Sequence, residues 1–135
     1  MINASRSQAP ELVDLSELRP ERILADAAEF AVDLKAERLV ALDLRGMVGY
    51  ADYLLIASGR SDRQVKGIHD AVHAGLKARH RLLPRRVEGL SEGRWVLLDY
   101  LDVVVHVFTP DTREYYRLEQ LWGEAPTVEL PAAAL

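Results

Sequence analysis

Tyr53-Leu54-Leu55-Ile56-Ala57-Ser58-Gly59-Arg60-Ser61-Asp62-Arg63-Gln64-Val65-Lys66 is the passage that sets the architecture. Tyr53 to Ser58 is an unbroken run of apolar and small residues, the pattern of a strand covered on both faces. Gly59 ends it. Ser61 followed three residues later by Gln64 is a capping-box pattern, in which hydroxyl and amide side chains satisfy free backbone amides where a helix starts. Asp62 adds a favourable charge at that N-terminus. The helix turns Val65, Ile68, Val72 and Leu76 inward, while Lys66, His69, His73, Lys77 and His80 recur at the same spacing on another face.

Upstream, Pro20 suits a first helical turn, and Ile23, Leu24, Ala27, Ala28, Ala31 and Leu34 recur at helical spacing up to about Ala36. Leu39 to Leu44 reads as a strand, followed by a loop punctuated by Gly46 and Gly49. Downstream of Pro84, Arg85 to Glu88 is a short strand and Gly89 to Gly93 a turn. Arg94 to Asp99 and Val103 to Phe108, separated by Tyr100, Leu101 and Asp102, form an antiparallel hairpin. Thr109 and Pro110 open a third helix with Tyr115, Leu118 and Trp122 on one face and Gly123 at its stop. The expected fold is α+β, a single domain with a mixed sheet of about five strands in the order αββαβββα. Residues 1–19 and 123–135 read as flexible tails, leaving 20–122 as the domain.

The chain has 135 residues, no cysteine, and a formal charge of −4 that conceals a segregation. Residues 60–86 carry +6, while 1–59 carry −4 and 87–135 carry −6. A whole-molecule grip on nucleic acid is not expected from that distribution; a local basic face is. Cysteine-based zinc, iron–sulfur and thiol chemistry is excluded. No signal peptide is read near the start, and the longest apolar runs are strand-sized, so a soluble, cytoplasmic protein without a membrane partner is expected.

Three constellations bear on chemistry. His69 and His73 stand four apart on one helix, but Asp70 occupies the place where a zinc-protease motif has Glu, and no third ligand is evident; no metal is expected. Ser58 to Ser61 is a small-residue turn into a helix N-terminus, where backbone amides hold phosphate in other folds. Nucleotidyl transfer would also need a carboxylate pair for magnesium, and Val103 to Val107 has no acid. The third is the hairpin. Val96 and Leu98 alternate with Trp95, Leu97 and Asp99, so both faces of one strand hold bulky apolar groups. Either the sheet is buried on both sides, or Trp95, Leu97, Tyr100 and Leu101 form an exposed apolar patch beside Asp99 and Asp102, of the kind that marks an interface.

The blocks Ala51 to Gly59, Ser61 to Lys66, Arg86 to Gly89, Gly93 to Tyr100 and Asp102 to Phe108, continued by Arg113-Glu114-Tyr115-Tyr116 with Leu118 and Trp122, closely resemble the ribosomal silencing factors of the Iojap family. The resemblance runs from about Pro20 to Trp122. It implies a fold related to nucleotidyltransferases without their catalytic acids, hence no enzyme activity, catalytic residue or cofactor. It also implies a partner, the large ribosomal subunit, bound through its ribosomal protein fourteen on the face where the small subunit docks. Such binding blocks subunit joining and represses translation when nutrients are short; homodimers of the free protein are implied too. The family's contact surface carries over to Trp95, Leu97, Tyr100 and Asp102, with Arg94 and Asp99 at its edge and Leu101 standing where many relatives have glycine. Asp52 is read as holding a loop through backbone hydrogen bonds. Arg63 and Lys66 are either solvated or touch ribosomal RNA or protein beside the main contact. The competing readings are a large-subunit assembly factor using the same surface and a nucleotide-binding or nucleotidyl-transfer enzyme using the Ser58 to Ser61 turn.

Overall fold

The computed structural model describes residues 17–47 and 49–131. Among the described residues nine elements follow one another: α1 (Pro20–Asp33), β1 (Glu37–Asp43), β2 (Tyr53–Ser58), α2 (Asp62–His80), β3 (Arg86–Glu88), β4 (Trp95–Asp99), β5 (Val103–Phe108), α3 (Pro110–Tyr116) and α4 (Leu118–Leu121). The strands form one mixed sheet in the order β1-β2-β5-β4-β3. β2 and β5 pair in parallel, Tyr53 opposite Val103 through Ser58 opposite Phe108, and every other pair is antiparallel. The two strands with the longest apolar runs are thus the central ones. All their residues are buried, as strands covered on both faces require.

One face of the sheet is roofed by α1 and α2. Ile23, Leu24, Ala27, Ala28 and Ala31 meet Val65, Ile68, Val72 and Leu76 over Leu55, Val96, Leu98, Val105 and Val107. The opposite face packs Leu42, Leu54, Ile56, Val104 and Phe108 under Leu44, Leu118 and Ala125. α2 starts where the capping pattern puts it. Ser61 Oγ accepts from the Gln64 amide at 3.1 Å, whereas the Gln64 side chain takes the Arg60 amide at 2.7 Å and donates to the Leu34 carbonyl at 2.9 Å. The cap therefore also fastens the start of α2 to the end of α1. Gly59 lets α2 lie this close: a Cβ there would meet Val65 at 3.0 Å.

Four expectations need correction. α1 stops at Asp33 rather than near Ala36, because Lys35 takes a left-handed φ of 65° that turns the chain into β1. The third helix is broken in two at Arg117 (φ 51°), so Tyr115 does not share a buried face with Leu118 and is 79% exposed. The segment from Gly123, read as a tail, is laid along β1. Thr127 bridges Leu42, the Asp43 amide donates to Pro126, the Val128 amide donates to Ala41, and Leu130 enters the helix-side core. β1 is the sheet's edge, and its unpaired amides and carbonyls supply what the proline-rich stretch lacked in its own periodicity. Of the N-terminal tail, residues 1–16 lie outside the described residues, while Leu18 packs against the core. The expectation for Asp52 stands: it holds its loop through backbone hydrogen bonds, its amide donating to the Asp102 carbonyl and its carbonyl accepting from the Leu44 amide.

A half-covered aromatic face on strand β4

β4 alternates as a strand must. Val96 and Leu98 point into the helix-side core, so Trp95, Leu97 and Asp99 point to the other face. There the covering layer thins. α3 and α4 shield β2 and β5 but leave Trp95 and Leu97 half-buried, which falls between the two readings of the hairpin. The Trp95 ring lies 4.9 Å from Phe108, 4.8 Å from Tyr116 and 5.9 Å from His106, centre to centre. Its Nε1–H donates to His106 Nδ1 at 2.8 Å. Indole nitrogen can only donate, so His106 accepts there and carries its proton on Nε2. Burial agrees with that neutral form by pushing the His106 pKa down to about 4.

Around this centre, Tyr116 is 54% exposed and stands edge-on to Tyr115. With Arg94, Glu92, Asp111 and Gly89 the two tyrosines and Trp95 border a groove of about 590 Å³. On the other flank Tyr50 stacks on Trp122 at 5.5 Å. The rim is charged: Arg86 and Glu88, opposite Asp99 and Leu97 in the sheet, pair at 3.4 Å.

The expected contact residues do not all meet on this face. Trp95, Leu97 and the exposed Arg94 do. Tyr100 does not: it is 5% exposed, lies in the helix-side core, and has a buried hydroxyl without a partner among the described residues. Asp99 is buried as well. It accepts from Arg85 Nη2 at 2.9 Å and the Leu101 amide at 2.8 Å, which hold its carboxyl below the usual range despite the desolvation that opposes them. Leu101 and Asp102 are exposed at the hairpin tip. Leu101 has φ 76°, and the Asp102 amide donates to the Tyr100 carbonyl at 2.9 Å, a tight three-residue turn of the strained hand. Partial desolvation and the neighbouring Asp52 push the Asp102 carboxyl above its usual range. Arg63 and Lys66 sit on α2, in the layer across the sheet from Trp95. Lys66 nevertheless reaches the turn at Gly93, next to Arg94, where a Cβ would meet its Cε at 2.9 Å.

At the other candidate sites several groups are already engaged, although the buried His69 Nε2 has no partner among the described residues. At the Ser58 to Ser61 turn the amides of Arg60, Arg63 and Gln64 are taken by Gln64 Oε1, Asp62 Oδ1 and Ser61 Oγ, leaving a phosphate little to grip. Ser58 Oγ accepts from Arg113. His69 Nδ1 lies 2.9 Å from Asp70. His80 and His106 each have a partner, Asp26 at 2.6 Å and Trp95. Sequence reasoning missed His106, Tyr116 and the Tyr50–Trp122 stack as members of the aromatic face. The antiparallel β4/β5 register sets His106 and Phe108 beside Trp95, and Tyr116, last in α3 before the break at Arg117, packs on the same ring.

Residues 17–134 match the family described as ribosomal silencing factor during starvation. A ribosomal silencing factor of Halalkalibacterium halodurans is 45% identical over 111 residues, 82% of this chain and 93% of that protein. A crystal structure of a Chromobacterium violaceum protein superposes with a TM-score of 0.75 at 34% identity, covering 87% of this chain and 93% of that one. A mouse protein named for mitochondrial assembly of the ribosomal large subunit is 37% identical over 78 residues, 54% of this chain and 33% of its own.

Proposed function

The chain belongs to the ribosomal silencing factor family, and from that premise we propose that it represses translation as a steric plug. It seats the Trp95 face on the large ribosomal subunit, through ribosomal protein fourteen of that subunit, and so keeps the small subunit from joining. No bond is made or broken. The effect depends on binding free energy alone, exerted in the cytoplasm.

The observation that carries the reading is the half-covered face of β4. A tryptophan held rigidly by a hydrogen bond and three neighbouring rings, yet open on one side, is the kind of residue that dominates interface energetics. The charge around it favours a protein over RNA as the first contact. Residues 87–135, which supply β4, β5, α3 and α4, carry −6, and phosphate would be repelled where a basic protein is drawn in. Leu97, Arg94, Leu101 and Asp102 flank Trp95 in this reading, while Tyr100 and Asp99 act from below by shaping the hairpin. Arg63 and Lys66 are left for a secondary contact with ribosomal RNA. Self-association through the same apolar face would yield a homodimer of the free protein that competes with the ribosome.

The test is co-sedimentation with isolated large subunits, small subunits and joined ribosomes, with small subunits added before or after the protein. Retention on large subunits alone, with fewer joined particles when the protein is added first, is expected. Trp95→Ala should weaken that retention about thirtyfold, on the order of 2 kcal/mol. Unchanged affinity in a folded variant puts the interface elsewhere. The mouse relative's name favours a second reading, maturation of the large subunit; accumulation of immature large subunits on deletion would select it.

A further inference from the structure

Beyond the ribosome-binding face, the far end of the sheet carries a cleft of about 370 Å³ lined by Arg38, Arg113, Glu114, Arg117, Glu119 and Gln120. It opens where the parallel strands β2 and β5 finish, at Ser58 and Phe108, the end of a parallel pair at which ligands of α/β sheets bind. We propose that this cleft binds the phosphate group of a small phosphorylated compound, gripped by Arg38 and Arg117 above the buried Arg113.

Three arginines reach the cleft from three parts of the chain. Arg113, 2% exposed, forms its floor: Nε and Nη2 donate to the two oxygens of Glu119 at 3.1 and 2.9 Å, and Nη1 donates to Ser58 Oγ at 2.8 Å. Its charge is thereby matched by Glu119. Arg38 and Arg117 are different, since neither makes an ion pair or side-chain hydrogen bond among the described residues. Two carboxylates share the lining, Glu114 and Glu119, and Arg38 lies near enough to Glu119 to help hold its carboxyl below the usual range.

Both free arginines are aimed by unusual backbone. The β1–β2 register slips between Glu37 and Val40, and Arg38 in that bulge has φ 54°. Bulges re-aim side chains, which here turns a strand residue into the cleft. Arg117, at the break between α3 and α4, has φ 51°. Two independent left-handed residues that carry two cations into one cleft store strain, and like charges gathered there repel each other. A bound dianion offsets the repulsion, and the planar guanidinium forks match phosphate oxygens in pairs. The cleft's volume of about 370 Å³ suits a small compound rather than a continuous RNA backbone.

The full-length protein is titrated calorimetrically with inorganic phosphate, then pyrophosphate, in chloride buffer of matched ionic strength. Saturable binding is expected, stronger for pyrophosphate, and weakened at least about tenfold in an Arg38→Gln/Arg117→Gln double variant that keeps the parent's circular dichroism. Backbone amide resonances near Ser58 and residues 113–119 should shift on saturation. Heat no different from chloride, or equal binding by the double variant, overturns the proposal. A short single-stranded RNA serves as the other arm; RNA binding that the double substitution abolishes, with no binding of pyrophosphate, overturns it in favour of a nucleic-acid contact.

Discussion

Trp95 owes its fixed orientation to His106, and that dependence has a pH signature. The folded imidazole holds its pKa near 4, whereas the unfolded one titrates near 6.5. Between those values the unfolded chain binds the extra proton, so His106 leaves stability intact above about pH 6.5 and lowers it as pH falls toward 4, by up to about 3 kcal/mol. His106→Gln keeps an acceptor for the indole and removes the titration. Urea midpoints measured from pH 7 to 4.5 should fall less steeply for this variant, and parallel curves would refute the assignment. Leu101 offers the opposite lesson. A leucine at φ 76° pays for a turn that glycine adopts freely, so Leu101→Gly should raise stability by about 1 kcal/mol. A lower midpoint would mean that its exposed side chain contributes something the backbone strain conceals.

Among the elements, those defined by local pattern were legible. Tyr53–Ser58 and Val103–Phe108 stand where their apolar runs put them, and α2 begins at the Ser61 cap. Boundaries set by distant contacts were not. The hairpin between β3 and β4 illustrates why: Gly89 has φ 81°, and a Cβ there would run into the Trp95 carbonyl oxygen. The sequence marks a turn, but only the fold shows that the turn presses on the strand carrying Trp95. Gly89→Ala should therefore cost at least about 2 kcal/mol, a far larger loss than an ordinary loop substitution. It should also displace Trp95, seen as a shift in its fluorescence emission. Retention of both stability and emission would show that the backbone yields cheaply at this point.

For the molecule as a whole, the last strand-like segment closes the edge of the sheet. Truncation after Gly123 removes Ala125 and Leu130 from the two cores and uncovers β1, so the midpoint should drop by the equivalent of about 2–3 kcal/mol and aggregation should increase. An unchanged midpoint would mean that the segment rests on the sheet without stabilising it. The sequence alone determined the α+β class, the central strands, the inward face of α2, the alternation that sends Trp95 and Val96 to opposite sides, and the family. All but the last depend on periodicity and capping, which act over a few residues; the family is carried by the resemblance of whole blocks of sequence in order. Tertiary structure decided that Tyr100 and Asp99 are buried, that His106 carries Trp95, that Arg113 floors a cleft beneath Arg38 and Arg117, and that the C-terminal segment is an edge cover. The His106–Trp95 contact depends on the register of the β4/β5 hairpin, and the others on contacts made only when the sheet assembles and each of its faces acquires its cover.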